Sequence, residues 1–308
     1  MQFSQIIFVR FDTQYDAFMS PHLISEFRQR FASSGMTPDL VRDFQDEVME
    51  FYEAKGRHEM EWRLHFDPYR IVVSEVMLQQ TQVPRVETMY PKFIERFPNF
   101  AALAAAPQAE LLAAWQGMGY NSRALRLQKL ARQVTDEYGG VLPEDPELLE
   151  KLPGIGPATS CSIAAFAFNR PVVFIETNIR RVFIHYFFAD DAVVDDRDIL
   201  PLATACLLMN RSREWYWALM DLGTALKSSV PNPNRRSRQY VKQSAFEGSD
   251  RQVRGAVLRM LLAGDGKNIE EIACAVGKSG ERVEKILDEM CGEGFFVREE
   301  NGEYRMRR

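Results

Sequence analysis

The chain has 308 residues, of which 46% are hydrophobic and 26% are charged, and its formal net charge is −5. This composition is typical of a globular protein with one large core and a second, smaller domain. The negative charge argues against a protein that coats polyanions indiscriminately, but it leaves binding by a local basic surface open. The longest apolar runs are far shorter than the ~20 residues that cross a bilayer, so no membrane segment is predicted. Arg10 and Asp12 interrupt the apolar stretch that a signal peptide requires, which predicts a cytoplasmic protein.

The N-terminal part of the chain is predicted to be almost entirely helical. Residues 1–36 show little periodicity and are interpreted as an extension of unclear role. From Thr37, a predicted N-cap, apolar residues recur three and four positions apart as far as residue 227. The predicted helices are 40–53, 71–78, 86–97, 108–115, 122–138, 157–168, 179–188, 198–209 and 213–226. Because no alternating strand pattern appears before residue 290, residues 37–227 are predicted to form an all-α domain.

The C-terminal part begins with a linker and continues as a small module. Residues 228–248 include Pro231 and Pro233, which remove amide donors and cannot continue a helix. Within 249–308, helices at 250–263, 268–276 and 279–291 precede two short strands around an Asn301-Gly302 turn. This order resembles a winged-helix domain. Such a domain binds DNA through the helix at 279–291 or packs against a partner, and both readings stay open.

Charged residues and cysteines are unevenly placed. Residues 38–61 are rich in acid, whereas 227–259 are rich in arginine and lysine. This asymmetry suits a protein with one face turned toward phosphates, although a solvated basic linker would give the same pattern. The four cysteines, Cys161, Cys206, Cys274 and Cys291, lie far apart, so no metal site and no cofactor are predicted.

Two short stretches carry residues suited to chemistry. LPGIGPATS at 152–160 predicts a tight turn between a short helix at 146–151 and a helix that begins near Ala158. Because Gly154 and Gly156 lack side chains, a phosphate can approach the backbone amides there; a turn used for packing alone is the alternative. PVVFIETNIRRVF at 171–183 places Glu176 between apolar residues, either as an ordinary residue at a helix start or as a carboxylate poised for catalysis.

Four stretches together resemble the base-excision DNA glycosylases of the helix-hairpin-helix superfamily, in particular the adenine glycosylases of the MutY type. They are IVVSEVMLQQTQV (71–83), WQGMGYNSRALRL (115–127), LPGIGPATS (152–160) and PVVFIETNIRRV (171–182), and EWR (61–63) with DPYR (67–70) extends the likeness. The resemblance covers about 37–227. It implies a two-lobed all-α glycosylase fold, followed here by the winged-helix domain, that extrudes a base from double-stranded DNA into a pocket.

The resemblance assigns catalytic roles to two glutamates. Glu75 matches the general acid that protonates adenine at N7, and its apolar neighbours would favour the protonated carboxyl. Glu176 stands at the position of the superfamily's catalytic aspartate, which stabilises the oxocarbenium ion as the glycosidic bond breaks. The glutamate adds on the order of 1.5 Å of reach, whereas catalytic placement tolerates about 0.5 Å. Either the helix is set back to compensate, or activity is altered.

The same match implies further site residues. Those of the substrate pocket are Trp62, Arg63, Gln80, Ala158 and Asn178. Those that bind DNA are Gln79, Thr81, Tyr120, Asn121, Ser122, Arg123, Gly154, Gly156, Thr159, Arg235 and Arg236. Gln79 and Gln80 match the family's wedge and pocket positions intact, whereas Asn121 follows Tyr120 where the family uses a tyrosine wedge.

The chain also departs from the family pattern. Ala158 stands where endonuclease III-type lyases carry lysine, so no Schiff base can form and no strand cleavage is expected. MutY enzymes have serine or tyrosine there. Cys274 is the first cysteine after Cys206, so the family's four-cysteine iron–sulfur loop is missing, and the Arg235–Arg238 run could meet the DNA backbone by charge instead. The winged-helix domain replaces the domain with which MutY proteins recognise 8-oxoguanine.

These features predict a monofunctional DNA glycosylase of base excision repair that hydrolyses the N-glycosidic bond of a mispaired or damaged base, with adenine or hypoxanthine favoured. One alternative is a thymine or uracil mismatch glycosylase, since related enzymes share these helices. Another is a non-catalytic protein that binds damaged DNA, suggested by the missing cluster and the changes at Ala158 and Glu176. The sequence gives no indication of the oligomeric state.

Overall fold

The computed structural model describes residues 21–242, 245–264 and 266–307. The helices are α1 (Pro21–Ser34), α2 (Pro38–Lys55), α3 (Glu61–Leu64), α4 (Pro68–Leu78), α5 (Val83–Arg96), α6 (Phe100–Ala105), α7 (Gln108–Ala114), α8 (Ser122–Tyr138), α9 (Pro146–Leu149), α10 (Pro157–Phe168), α11 (Thr177–Phe187), α12 (Asp196–Ala205), α13 (Ser212–Ser229), α14 (Asp250–Ala263), α15 (Ile269–Val276) and α16 (Gly280–Glu293). Strands β1 (Phe296–Arg298) and β2 (Tyr304–Met306) pair antiparallel, with Phe296 opposite Met306. None of these helices is long and apolar enough to cross a membrane.

The helical prediction is confirmed for most of the chain. Thr37 caps α2 as expected, since its hydroxyl accepts a hydrogen bond from the Leu40 amide at 3.2 Å. Three helices were not anticipated: the short α3 and α6, and the 14-residue α1 within the predicted N-terminal extension. The apolar residues Ile24, Phe27 and Phe31 of α1 recur three and four positions apart. Because this stripe is short, the helix depends on what it packs against. Residues 1–20 of that extension lie outside the described residues.

The chain folds into two compact units, each built from two stretches of sequence. Unit 1 comprises Met1–His58 and Pro171–Tyr240, and unit 2 comprises Glu59–Arg170 and Val241–Arg308. The sequence set 249–308 apart as a domain of its own. In the structure these residues fall in the same compact unit as 59–170. Their assignment as a separate domain stays a prediction.

The core of unit 1 is a cluster of aromatic side chains. Phe44 of α2 lies 5.2 Å from Tyr186 and 5.0 Å from Phe187 of α11, measured between ring centroids. Phe27 of α1 meets the same two rings edge-on and is only 2% exposed. Edge-on aromatic pairs each contribute about 0.5–1.5 kcal/mol beyond their buried area. Helix α1 is therefore part of this core, which explains why it forms.

Helix α4 lies at the centre of unit 2, in contact with α5, α8 and α10. It begins with Asp67 as N-cap, whose side chain accepts a hydrogen bond from the Arg70 amide at 2.9 Å, and with Pro68 in the first turn. Seven of the eleven residues of α4 are buried: Tyr69, Ile71, Val72, Val73, Ser74, Val76 and Met77. A helix that is apolar on all sides requires partners all round, and its central position supplies them.

The C-terminal module, residues 249–307, consists of α14, α15, α16 and the β1–β2 hairpin. Its helices and strands confirm the element order expected from the sequence, and the winged-helix assignment itself stays a prediction. The module is joined to α7 by Gln108, whose side-chain amide donates to the carbonyl oxygens of Gly294 at 2.9 Å and Phe295 at 3.2 Å. It also meets the loop before α8, where Arg251 donates to the Tyr120 hydroxyl at 2.7 Å.

Candidate active site

Glu75, the predicted general acid, projects from the penultimate turn of α4 and is half-buried. Its Oε2 lies 2.5 Å from the hydroxyl of Ser162, which sits on the neighbouring helix α10. A distance this short is typical of a strong, charge-assisted hydrogen bond. The pair exists because α4 and α10 pack directly against each other.

The hydroxyl of Ser162 has a second contact, with the carbonyl oxygen of Thr159 at 3.0 Å. A hydroxyl carries one proton, and a carbonyl oxygen can only accept. When Ser162 donates to Thr159, its contact with Glu75 requires a proton on the Glu75 carboxyl. The same geometry therefore accommodates either an ionised Glu75 that accepts from Ser162 or a protonated Glu75 that donates to it, as proton transfer requires.

The predicted hairpin lies between α9 and α10. Gly154 has a φ of +86°, and a Cβ there would lie 3.1 Å from the Cβ of Arg126, so both backbone conformation and space favour glycine. Gly156 is the N-cap of α10 and has no side chain to occupy the first amides of the helix. Gln79 links α4 to this turn, with its side-chain amide 3.4 Å from both the Gly154 carbonyl and the Thr159 hydroxyl. Ala158 is exposed on the first turn of α10.

Glu176 is the N-cap of α11 in unit 1. Its Oε1 accepts hydrogen bonds from the amides of Asn178 at 2.6 Å and Ile179 at 2.9 Å. Asp and Asn are the usual residues for this role, so the longer glutamate must fold back to reach both amides. Among the described residues, the hydrogen bond of Oε2 is a long one of 3.5 Å from the Asn178 side chain. The longer side chain of glutamate thus still allows Oε1 to cap the helix. Oε2 is the oxygen that remains available to a ligand.

Several neighbouring groups affect the pKa of the Glu176 carboxyl. The residue is half-buried. Burial raises the pKa of its carboxyl above the ordinary value of 4.5. The hydrogen bonds from Ile179 and Asn178 and the positive charges of Arg180 and Arg181 oppose this increase without cancelling it. A carboxylate held at a helix N-terminus with its charge only partly compensated is suited to face a developing cation.

Asn178, predicted for the substrate pocket, is held in place by Arg181. The buried guanidinium of Arg181 donates to the Asn178 side-chain oxygen at 2.7 Å and to the carbonyl of Gly223 on α13 at 2.5 Å. A Cβ at Gly223 would lie 2.4 Å from the Asn178 carbonyl oxygen, so glycine permits this close approach of α13 to α11. The start of α11, including Glu176, is therefore rigidly positioned within unit 1.

Two predicted site residues in unit 2 have strained backbones. Gln80 has a φ of 55° and Tyr120 a φ of 45°, a region that non-glycine residues rarely adopt. Gln80 follows α4 and Tyr120 precedes α8. Residues held in this region cost about 1–3 kcal/mol each and cluster at ligand sites. Their strain marks the two loops as candidates for contact with a ligand.

Arg123 holds both of these loops. It was predicted to bind DNA, yet it is only 5% exposed and its donors are directed inward. They lie between 2.6 and 3.4 Å from the carbonyl oxygens of Val76, Met77, Gln79, Met118, Gly119 and Tyr120 and from the hydroxyl of Thr81. Burial lowers the pKa of Arg123 to about 10, which leaves it charged at neutral pH. Its observed contacts are therefore structural, since it caps the end of α4 and fixes the strained loops.

The remaining predicted residues differ in accessibility. Trp62 and Arg63 of α3 are 4% and 6% exposed, and the Trp62 ring packs edge-on against Tyr90 in the core of unit 2. Asn121 and Ser122 at the start of α8 are half-buried, as is Thr81. Trp62 and Arg63 thus belong to the packed interior of the unit in this conformation.

A strap formed by residues 232–238 occupies the place in the sequence where the family's iron–sulfur loop would stand. The side chain of buried Asn234 donates to the Thr177 carbonyl at the start of α11, at 2.8 Å. Arg236 donates to carbonyls at the other end of α11: those of Phe188, Ala189 at 2.9 Å and Asp191 at 3.0 Å. Hydrogen bonds thus order the strap, and the adjacent Arg235 remains exposed.

The cysteines do not fit an iron–sulfur cluster. Residues 207–273 contain none, so the donors that such a cluster requires are not encoded in the strap. Cys206 is buried in unit 1, whereas Cys161, Cys274 and Cys291 lie on α10, α15 and α16 of unit 2. In the parts of the chain that the structure describes, no group of three or more His, Cys, Asp or Glu is arranged to hold a metal ion.

Sequence reasoning missed Ser162 and the inward role of Arg123. Ser162 lies four residues after Ala158, and positions four apart share one face of a helix. A hydroxyl was expected at position 158 from the family pattern, so a serine one turn later was a usable signal. The role of Arg123 had no comparable signal, because its acceptors come from two loops separated by about forty residues of chain.

The stretch of chain that contains these residues is similar to known proteins. Residues 73–199 match the family model described as HhH-GPD superfamily base excision DNA repair protein. An adenine DNA glycosylase of Mycolicibacterium smegmatis is 35% identical over 232 residues, which cover 70% of this chain and 79% of that protein. The adenine DNA glycosylase of Mycobacterium tuberculosis is 32% identical over 247 residues, covering 71% and 78%. The Homo sapiens adenine DNA glycosylase is 32% identical over 233 residues, covering 68% and 42%.

Solved structures agree on the fold. A thermostable thymine-DNA glycosylase superposes with a TM-score of 0.55 at 24% identity, covering 64% of this chain and 91% of that one. A non-covalent endonuclease III–DNA complex gives 0.51 at 22% identity, covering 66% and 96%. At these identities the likeness establishes the fold alone, whereas the sequence relatives establish descent. The chain therefore belongs to the HhH-GPD superfamily of base excision DNA repair proteins, as a DNA glycosylase related to the adenine DNA glycosylases.

Proposed function

We propose that the protein is a monofunctional glycosylase that removes a mispaired or damaged purine, adenine or hypoxanthine, from double-stranded DNA. The observation that carries the proposal is the 2.5 Å contact between Ser162 and Glu75 on an otherwise buried helix. It supports a carboxyl that can hold and release a proton at one site. The adenine preference follows from the curated relatives, which are adenine DNA glycosylases.

In the proposed reaction, Glu75 transfers its proton to N7 of the purine. The bond between C1′ of the sugar and N9 then breaks, and its electron pair leaves with the base. Positive charge develops on the sugar and is stabilised by Glu176, whose Oε2 is the less engaged oxygen. Water adds to C1′ and releases a proton, which restores the Glu75 carboxyl.

Ala158 defines the expected product. Strand cleavage by this superfamily requires an amine that attacks C1′ and forms a Schiff base, and the methyl of Ala158 cannot supply one. Hydrolysis therefore leaves an intact abasic strand. Incubation with sodium borohydride should trap no covalent protein–DNA complex, whereas alkali should cleave the product strand.

The experiment is a panel of duplexes with one labelled strand, each holding a single adenine, hypoxanthine, uracil or thymine opposite guanine or 8-oxoguanine. After incubation, alkali reveals abasic sites. We expect cleavage at adenine or hypoxanthine and a loss of roughly 10²-fold or more in single-turnover rate for Glu75→Gln, with DNA affinity retained. Release of pyrimidines alone would assign the protein to the mismatch branch. Release of no base from any duplex would reject catalysis and leave a DNA-binding protein.

A further inference from the structure

The position of Glu176 depends on the first turn of α11. Its Oε1 accepts hydrogen bonds from the Asn178 and Ile179 amides, so any movement of this turn moves the carboxylate as well. The first amides of a helix have no partners within the helix, and helix ends open more readily than helix centres. A catalytic group at an N-cap therefore requires support from outside its own helix.

Asn234 of the strap supplies such support. Its side-chain amide donates to the carbonyl oxygen of Thr177, the residue that directly follows Glu176, at 2.8 Å. The two partners are 57 positions apart in the chain, so this hydrogen bond ties the first turn of α11 to a separate segment of unit 1. Because Asn234 is only 4% exposed, little water competes for its donor.

The orientation of the Asn234 side chain leaves its oxygen buried and unpaired among the described residues. A carbonyl accepts and cannot donate, so Nδ2 faces Thr177 and Oδ1 faces away. An unpaired buried acceptor is unfavourable, and a leucine of nearly the same shape would avoid it. Packing alone therefore does not account for an amide at this position, whereas the hydrogen bond to Thr177 does.

Asn232 connects the strap to the same turn by a second route. Its Oδ1 caps the short 3₁₀ helix Pro233–Arg236 by accepting from the Asn234 backbone amide at 3.2 Å. The same oxygen lies 3.3 Å from Nε of Arg181, whose guanidinium also donates to the Asn178 side chain at 2.7 Å. One acceptor thus orders both Asn234 and the arginine that holds Asn178.

The strap is itself anchored at the far end of α11. There Arg236 donates to the carbonyls described above. Beyond the helix, the backbone of Val194 donates to the Arg236 carbonyl at 2.8 Å and accepts from the Arg238 amide at 2.9 Å. These bonds hold the strap against both ends of an 11-residue helix, which is about 16 Å long. The strap is therefore a fixed support for the first turn.

We propose that Asn234 is a positioning residue for base release, which holds the first turn of α11 so that Oε2 of Glu176 faces the sugar. This inference rests on the proposed function, in which Glu176 stabilises the developing cation. Catalytic placement tolerates errors of about 0.5 Å, and a shift of about 1 Å can lower a rate 10²-fold. Loss of one hydrogen bond at this turn should therefore slow the reaction without abolishing it.

The test replaces Asn234 by leucine, which keeps the branched shape and removes the donor. The matched control is Gln45→Leu in α2, since Gln45 also donates from a side-chain amide to a backbone carbonyl of unit 1, that of Cys206 at 3.0 Å. At saturating enzyme, Asn234→Leu should release the base roughly ten- to thirtyfold more slowly in a single turnover. Its affinity for a duplex with uncleavable 2′-fluoro-2′-deoxyadenosine should stay within about twofold. Gln45→Leu should match the wild type in both measurements.

A double-mutant cycle identifies Glu176 as the residue through which Asn234 acts. In a Glu176→Gln background, Asn234→Leu should cause no further decrease in rate, because the carboxylate that it positions is gone. An equal decrease in both backgrounds would indicate a merely structural effect and overturn the inference, as would an unchanged rate for Asn234→Leu. If the leucine variant does not fold, Asn232→Ala takes its place in the cycle and should slow the reaction about threefold.

Amide hydrogen exchange tests the support without any catalysis. The Asn178 and Ile179 amides should exchange about three- to tenfold faster in Asn234→Leu than in the wild type or in Gln45→Leu, because the first turn opens more often. Unchanged exchange at these amides would overturn the inference. A wild type that releases no base from any duplex rejects the proposed function, and the exchange rates then decide by themselves whether Asn234 holds the turn.

Discussion

The hydroxyl of Ser162 lies 2.5 Å from Oε2 of Glu75, and this contact joins the two helices that carry the candidate acid and the hairpin. The serine stands one helical turn after Ala158, where MutY-type enzymes have a hydroxyl. Ser162 thereby offers Glu75 a polar partner that Ala158 cannot offer. We interpret Ser162 as a positioning residue that acts through Glu75.

Ser162→Ala should lower the single-turnover rate of base release by roughly ten- to a hundredfold, because one partner of the proton-transferring group is lost. The control is Ser160→Ala, which removes a buried hydroxyl of the same helix that donates to Pro157. Equal rates for both variants would contradict the role of Ser162.

Two substitutions at Glu176 separate the effect of side-chain length from the effect of side-chain charge. Glu176→Asp should keep the rate within about tenfold, because aspartate is also a favoured N-cap. Glu176→Gln should lose roughly 10²- to 10³-fold, because the neutral amide does not stabilise a cation. An aspartate variant as inactive as the glutamine variant would show that the longer side chain is required.

The raised pKa of Glu176 has consequences of opposite sign for activity and stability. The carboxyl takes up a proton at a higher pH than an ordinary glutamate, so the rate should fall as pH falls through that raised value. Above that value the folded state holds a disfavoured charge, so Glu176→Gln should increase the free energy of unfolding at pH 8. Urea denaturation at pH 8 measures this change. A less stable glutamine variant would contradict the assignment.

Arg123→Lys should lower the free energy of unfolding by about 2–4 kcal/mol. The ammonium of lysine has three donors in place of five and cannot reach all the carbonyls that Arg123 serves, so buried acceptors are left unpaired. The matched control is Arg132→Lys on the same helix, where an exposed arginine donates to the Ala104 carbonyl alone among the described hydrogen bonds. If both variants have the same denaturation midpoint, the capping role is wrong.

Arg235 and Arg236 are adjacent in sequence but should behave differently. Arg236→Ala should lower the free energy of unfolding by about 1–3 kcal/mol, because the carbonyls at the end of α11 lose a charged donor. Arg235→Ala should leave the melting temperature unchanged and weaken DNA binding, since the side chain is exposed. Thermal unfolding and DNA titration of the two variants test this division, and the reverse pattern would exclude it.

Because His185 is half-buried, we expect the free energy of unfolding to depend on pH in the acidic range. Burial, with the positive charges of Arg28 and Arg236, lowers the pKa of His185 to about 4 from the ordinary 6.5. The unfolded chain therefore binds a proton that the folded chain refuses, and the free energy of unfolding should decrease as pH falls from 6.5 toward 4. His185→Gln should flatten this part of the profile. His65→Gln, the same substitution at an exposed position, serves as the control.

The amino-acid sequence by itself determined the helices, the glycine turn and the two candidate glutamates. Apolar periodicity identifies the buried face of a helix, and Gly154 and the cap at Thr37 act through neighbouring residues alone. Local patterns therefore placed most helix boundaries correctly. They missed the short helices α3 and α6 and the longer α1, whose packing on the aromatic cluster is a long-range effect.

The tertiary structure decided which partners those faces meet. Ser162 reaches Glu75 only because α4 and α10 pack together, and the buried position of Arg123 depends on two loops that are distant in sequence. The charge of Arg254 is compensated by Glu293, 39 residues away, so a count of basic residues overstates the positive surface. The periodicity of the sequence indicates that a side chain is buried. Which residue it contacts depends on how distant parts of the chain pack together.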